Sequence, residues 1–314
     1  MKSRITYFWI VIMALTIGIL YAQQYDDEND FIVLRNQDGN SVIITGYAGT
    51  NQIVNIPSQI RQLKVTHIGE SAFKGINLMR VSIPDSVTYI GPGAFANNQL
   101  NSLIIPNSVS QIGETAWASI GAFANNQLTS VTIGNNVTII GAHSFANNQL
   151  TNIIIPNSVT NIAGGAFANN QLTEATIGDS VQTIMGNVFE NNQLTRVDIP
   201  NTVTAIWGGA FQNNHLTDIV IPNSVTFLGQ SAFANNRLTN VTIPNGINIA
   251  PNVFLGNPLD RINIGINVTM SDDNTGWGQL GTSFPRGFDD FYRLVIQRRS
   301  GIFVYRNGRW SEEW

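Results

Sequence analysis

The sequence contains no cysteine and few charged side chains. Without cysteine the chain has no disulfide bond, thiolate zinc site, cysteine nucleophile or lipid-modified cysteine. Charged residues make up 11% of the chain and the net charge is −4, whereas ordinary soluble proteins carry about 25% charged residues. Because no basic field exists, we expect no nucleic-acid partner.

Long apolar runs are also missing, apart from one at the N-terminus. Lys2 and Arg4 precede an apolar stretch, and Ala22 can precede a cleaved bond. This pattern predicts a signal peptide at residues 1–22 and a secreted or cell-surface protein. The alternative is an uncleaved anchor, because residues 5–22 approach the ~18–20 apolar residues that span a bilayer. Membrane contact is expected only through this segment, if it stays uncleaved.

What the sequence has in abundance is an internal repeat. The heptapeptide at residues 94–100 recurs almost unchanged, and most copies carry an Asn-Asn pair. A period of 20–29 residues with leucine and isoleucine at fixed places is typical of leucine-rich repeats. A phenylalanine marks each unit, usually 22 residues after the one before, at Phe73, Phe95, Phe123, Phe145, Phe167, Phe189, Phe211, Phe233 and Phe254.

One interval between phenylalanines is longer, because Phe123 follows Phe95 by 28 residues. Trp117 lies 22 residues after Phe95, in register with the other units. Residues 118–123 are therefore a six-residue insertion, and either Trp117 or Phe123 can fill the core position.

Each unit combines strand and turn signals. Val131 and Ile133 alternate as in a half-buried strand, which proline or glycine then ends. A second apolar pair, Val137 and Ile140, follows, and residues 142–145 are predicted to begin a short helical or 3-10 turn. The Asn-Asn pair then reverses the chain, since asparagine tolerates left-handed backbone. About five large apolar side chains cannot offset the ordering of 22 residues, so the units must stack to fold.

The predicted fold is therefore a repeat solenoid, mainly β with short helical or 3-10 turns: a right-handed leucine-rich-repeat superhelix with β-rich caps. The N-terminal cap and first repeat span residues 25–75, and the array of 22-residue units spans 76–269. A linker covers 270–283. A β-hairpin cap covers 284–314, in which residues 291–297 pair with 301–305 ahead of a turn at Asn307-Gly308. The alternative for this arginine- and aromatic-rich end is an anchoring or sorting module.

Units of the form Leu-Thr-x-Val-x-Ile-Pro-Asn-Ser-Val-Thr-x-Ile-Gly-x-x-Ala-Phe, as at residues 150–167 and 216–233, resemble the BspA-like leucine-rich repeats of bacterial surface proteins. The resemblance covers about residues 31–269. It implies a surface or secreted location and adhesion to host or environmental macromolecules, with no catalytic residues to carry over. The family's unit is commonly one residue longer. Its frequent cysteine near the turn is asparagine here, which suggests an asparagine ladder.

The outward positions of the strand around Val131 are the candidate binding surface. Their equivalents in neighbouring units include Glu174, Arg196, Asp198 and Asp218, which we expect to form one charged cluster. Outward aliphatic side chains on the same face, which include Ile104, would make it flat and adhesive. The plainer interpretations are cross-strand ion pairing and β-propensity. The candidate ligand-binding residues are Glu174, Arg196, Asp198, Asp218, Ile154 and Val220.

Signals for catalysis are weak. His67 lies in the first repeat, and His143 and His215 occupy different places in the repeat, so convergence on a metal is not expected. Two carboxylates on adjacent units could face each other as in a glycosidase, but a flat exposed sheet offers no pocket to shift a pKa. We therefore expect no catalytic residue, cofactor or metal.

The sequence thus favours a non-catalytic protein that binds an extracellular protein or glycan through its strand face. A structural envelope or matrix component that assembles through its caps is the second hypothesis. A glycan-active enzyme is the third.

Overall fold

The computed structural model describes residues 25–270 and 300–313. The predicted signal segment and the predicted linker after residue 270 lie outside these ranges. Within them the chain forms a β-solenoid, which confirms the predicted fold class. No helix in the two described ranges is long and apolar enough to cross a bilayer.

Most units contribute two strands, on two different faces of the coil, and the units of Val197 and Ile219 contribute an isolated bridge in place of the first strand. The first strand carries the alternation recognised in the sequence. Its members pair in parallel in several small sheets. Isolated parallel bridges at Thr176–Asp198 and Val220–Thr242 extend two of these sheets to the neighbouring units. These first strands are β3 (Ile53–Asn55), β6 (Arg80–Ser82), β8 (Ser102–Ile104), β10 (Ser130–Thr132), β12 (Asn152–Ile154), β14 (Glu174–Thr176), β18 (Asn240–Ile243) and β20 (Arg261–Ile264).

The second strand of each unit, which the sequence analysis missed, builds a continuous 13-stranded sheet. We call it the second-strand sheet. It begins with cap strands β1 (Phe31–Arg35), β2 (Ser41–Tyr47), β4 (Gln59–Ile60) and β5 (Leu63–Ile68). It continues through β7 (Tyr89–Ile90), β9 (Gln111–Ile112), β11 (Ile139–Ile140), β13 (Asn161–Ile162), β15 (Thr183–Ile184), β16 (Ala205–Ile206), β17 (Phe227–Leu228), β19 (Asn248–Ile249) and β21 (Thr269–Met270).

The repeated phenylalanines form a column through the core. Their side chains are fully buried. Successive rings from Phe73 to Phe254 stack with centroids 5.0–5.7 Å apart and planes within 12° of parallel. Because each ring contacts the rings of the units before and after it, the column ties neighbouring units together.

The turn that carries each phenylalanine is not helical, contrary to the prediction for residues 142–145. The N–H groups of His143 and Phe145 donate to carbonyls of the next unit. The N–H groups of Ser144 and Ala146 donate to carbonyls within the turn. Since alternate donors leave the turn, the consecutive bonds of a 3-10 helix do not form. Among the described residues the one 3-10 helix is Glu28–Asp30, in the cap.

The two asparagines of each pair have different roles. In the pair Asn147-Asn148, Asn147 has φ +56° and is exposed, and its side chain donates to Asn125 of the preceding unit. Asn148 is buried; its Oδ1 accepts from the Leu128 N–H, and its Nδ2 donates to the Phe123 and Phe145 carbonyls. The bonds between exposed asparagines confirm the predicted ladder. The buried asparagines provide hydrogen-bond partners for buried backbone groups.

The insertion leaves the phenylalanine column unbroken. Phe123 stacks between Phe95 and Phe145, whereas Trp117 is exposed. The Trp117 ring lies over Gly164 and meets the ring of His143 edge-on, with centroids 4.7 Å apart. Phe123 therefore fills the core position that the sequence left open.

Both ends of the array are covered by antiparallel strands. At the N-terminal end, β1 pairs with β2, and β2 pairs in parallel with β5. At the other end, β22 (Gly301–Arg306) pairs with β20 and with β23 (Arg309–Glu313), around the turn at Asn307-Gly308. The predicted partner of β22, residues 291–297, lies outside the described residues.

Candidate functional site

The candidate site is the outward side of the first strands, which we call the first-strand face. In most of these strands the middle side chain points into the core, as Leu103 and Ile153 do, and the side chains on either side of it are exposed. The pleat of a strand produces this alternation. The equivalent exposed positions of successive units therefore stand in rows across the face.

The four charged candidates lie on neighbouring units of this face. Glu174, Arg196 and Asp218 occupy equivalent positions in three successive units, since the backbones are paired in register. Asp198 lies two residues after Arg196 on the same unit. Arg196 thus has a carboxylate-bearing unit on each side, and the four side chains carry a net charge of −2.

The ion pair in this group lies along one unit and not across units. Arg196 Nη2 is 3.1 Å from Asp198 Oδ2, and the two side chains are 77% and 85% exposed. Exposed pairs of this kind contribute about 0–1 kcal/mol. The cross-strand pairing expected from the plainer interpretation is not the contact that Arg196 makes in this structure. Since the pair adds little stability, its atoms are available to a ligand at small cost.

A shallow depression of about 400 Å³ lies at this place. Arg196, Asp198, Asp218 and Val220 line it, together with Asn201 of the turn that follows. Glu174 and Ile154 lie on the same face but do not line the depression. The structure thus brings four of the six candidate residues to one concavity.

The outward aliphatic residues do not form a continuous row. Ile104, Ile154 and Val220 are each 68–74% exposed, but residues of other kinds stand between them. Thr132 separates Ile104 from Ile154, and Thr176 and Asp198 separate Ile154 from Val220. Each aliphatic side chain is therefore a separate apolar point on a polar surface.

A second, larger depression of about 880 Å³ lies in the N-terminal half of the same face. Ile104 stands in it, beside the side chains of Arg80, Ser82 and Ser102. The sequence analysis picked out Ile104 and missed the concavity. The small outward serines beside it were the available signal.

The histidines stay apart, as expected from their places in the repeat. His67 is half-buried in β5, where it bonds to the Thr66 hydroxyl and packs against Tyr89. Burial lowers the pKa of His67, and the Asp38 carboxylate partly opposes this shift. His143 contacts Trp117 in a different unit. In the described part of the chain no three histidine or acidic side chains are placed to hold a metal ion.

The paired strand rows, the phenylalanine column and the asparagine ladder define a leucine-rich-repeat solenoid. The model of the BspA type leucine rich repeat region matches in six copies that together span residues 47–275. The chain therefore belongs to the family of BspA-type leucine-rich-repeat proteins, as the sequence analysis suggested. A search of curated proteins found no match.

Solved structures of bacterial repeat proteins are similar to this chain. A leucine-rich repeat protein from Bacteroides ovatus is 22% identical with a TM-score of 0.54, over 80% of this chain and 77% of that one. A leucine rich cell surface protein from Faecalibacterium prausnitzii is 21% identical with a TM-score of 0.35, over 82% and 97% of the two chains. At this identity the first likeness shows the fold alone.

Proposed function

We propose that this chain is a non-catalytic recognition protein that works in a secreted or cell-surface location. Its first-strand face would bind an extracellular protein or glycan around Glu174, Arg196, Asp198 and Asp218, with Ile154 and Val220 as apolar contacts. The N-terminal apolar segment supports export, and membership of a repeat-scaffold family supports binding as the activity.

The depression at Arg196 is the observation that carries this proposal. It places a guanidinium, two carboxylates and an aliphatic side chain within one concavity on a rigid scaffold. A guanidinium and carboxylates can form charge-assisted hydrogen bonds with a polar ligand. Because adjacent units hold the backbone, little ordering is needed when a ligand binds. The open and well-hydrated setting does not favour proton-transfer chemistry.

The test is binding of the full-length chain to an array of matrix proteins and glycans. We expect Arg196→Glu and Asp198→Arg each to weaken the detected interaction about tenfold or more, as central contacts do. Arg35→Glu is the matched control, because Arg35 is exposed on β1 of the second-strand sheet, at the N-terminal end of the array. If both face variants bind as the native chain does, the choice of face is wrong.

The structural alternative has one observation in its favour. β23 is the last strand of its sheet, and a terminal strand can accept a strand from another molecule. Assembly that persists in Arg196→Glu but fails when the end of the chain is altered would favour this alternative. Turnover of a glycan that disappears in Glu174→Gln or Asp198→Asn would favour an enzyme instead.

A further inference from the structure

The second-strand sheet carries an exposed aromatic group that the first-strand face does not explain. Trp207 is 47% exposed, and Met185, at the equivalent position of the preceding unit, is 38% exposed. The ring of the half-buried Phe227 meets that of Trp207 edge-on, with centroids 5.4 Å apart. We call Met185, Trp207 and Phe227 the aromatic platform. Exposed aromatic side chains on a rigid sheet are a frequent feature of binding surfaces.

The three units of the aromatic platform carry little formal charge, and the Glu190 carboxylate, which accepts a hydrogen bond from Asn187 Nδ2 at 2.6 Å, lies at the edge of this surface. Residues 182–187, 204–209 and 226–231, which form the three units here, contain no acidic or basic side chain. The hydroxyls of Thr204 and Thr226 donate to carbonyls of the preceding unit, so their oxygens keep acceptor capacity. Gln182 and Gln230 are exposed nearby and supply amide donors and acceptors.

Trp117 covers the equivalent surface in an earlier unit, whereas the surface at Met185 and Trp207 is left open. Trp117 lies over Gly164, and neighbouring Ala163 is buried. Ala163, Met185 and Trp207 occupy equivalent positions in three successive units. The cover provided by Trp117 therefore ends one unit before Met185, and the aromatic platform faces solvent.

We propose that the aromatic platform binds a neutral β-1,4-linked glycan along the solenoid axis. Such a chain offers flat apolar C–H faces and hydroxyl edges. The electron-rich face of an aromatic ring attracts polarised C–H groups, and the hydroxyls match the threonine and glutamine side chains beside the rings. The low charge of this surface fits a neutral ligand.

The repeat spacing gives this ligand a register. In this part of the array the stacked phenylalanines are 5.3–5.7 Å apart. An extended β-1,4-linked chain advances one sugar ring over a closely similar distance. Successive sugar rings therefore lie over successive units of the solenoid. Trp207 contacts one sugar, and Phe227, in the next unit, contacts the neighbouring sugar.

The experiment measures cellohexaose and chitohexaose binding to the full-length chain by isothermal titration calorimetry and by tryptophan fluorescence. We expect saturable binding to at least one sugar, little changed by salt. Trp207→Ala and Phe227→Ala should each weaken it about tenfold or more, while Trp207→Tyr retains most of the affinity. Circular dichroism verifies that each variant is folded.

Two control variants separate this site from the first-strand face. Ile154→Ala removes an exposed apolar side chain from that face, and Arg196→Glu disrupts its charged group. Both variants should bind the sugars as the native chain does. Sugar binding at the aromatic platform can therefore be observed even if the first-strand face binds no ligand. The proposal is overturned if neither sugar binds, if Trp207→Ala binds unchanged, or if the platform captures an apolar peptide but no sugar.

Discussion

Asn170 joins two units of the solenoid through one buried side chain. Its Oδ1 accepts from the Leu150 N–H at 3.1 Å, and its Nδ2 donates to the Phe145 carbonyl at 2.9 Å and the Phe167 carbonyl at 3.1 Å. The same three contacts recur at the other buried asparagines. These side chains provide partners for backbone groups that the turns would otherwise leave unsatisfied.

We predict that Asn170→Ala lowers the free energy of unfolding by about 2–4 kcal/mol, since each buried polar group left without a partner costs about 1–3 kcal/mol. The measurement is urea denaturation followed by circular dichroism. Asn169→Gly is the matched control. Asn169 is exposed at φ +56°, glycine tolerates that backbone, and the expected change is under about 1 kcal/mol. Equal losses in the two variants would contradict the assigned roles.

The sequence predicted these residues only in part. Two adjacent asparagines indicate a turn and a ladder, but they are chemically identical. Only stacking on the preceding unit, which supplies the Leu150 N–H and the Phe145 carbonyl, decides that Asn170 turns inward and Asn169 outward. The charged group is similar: the repeat predicts that Glu174, Arg196 and Asp218 are neighbours. The partner of Arg196 depends on side-chain rotation, which no periodicity records.

At the level of the elements, the first strands were predictable and the second strands were not. The Val131–Ile133 alternation is long enough to indicate a strand. The second strand, β11, has only two residues, too few for a period-two pattern. It exists because its backbone pairs with β9 and β13 on either side. The prediction of helical turns failed for a related reason. Alternate N–H groups of each turn donate to carbonyls of the next unit, and one unit's sequence does not reveal these bonds.

The insertion gives a test of which aromatic residue is the core element of its unit. Phe123→Ala should lower the free energy of unfolding by about 3–5 kcal/mol, the usual cost of a phenylalanine-sized cavity. Trp117→Ala should cost less than about 1 kcal/mol, because this side chain is 57% exposed. Thermal and urea denaturation of the two variants provide the comparison. A larger loss for Trp117→Ala would mean that the tryptophan is the core residue.

On the scale of the whole molecule, the C-terminal hairpin covers the last strand of the first-strand face. β20 has one neighbour in the array, β18, and one in the C-terminal hairpin, β22. Phe303, the partner of Ile262 in this pairing, is fully buried in the core cluster. Removing β22 would leave the edge of β20 open to strands of other molecules.

We therefore predict that Phe303→Ala loosens the hairpin and promotes concentration-dependent self-association. Size-exclusion chromatography with light scattering measures the mass across a dilution series. Arg309→Ala, an exposed change in the same hairpin, should leave the mass unchanged. A Phe303→Ala chain with the native mass at every concentration would show that the hairpin is not required to protect the edge.

The phenylalanine column and the asparagine ladder have an evolutionary consequence. Interior units present nearly the same stacked ring and the same amide contacts to the unit before and the unit after. Unequal recombination within the gene can therefore add or delete a whole unit, and the new junction meets a surface it already fits. The number of turns, and with it the reach of the molecule, can change by duplication while the two ends stay as they are.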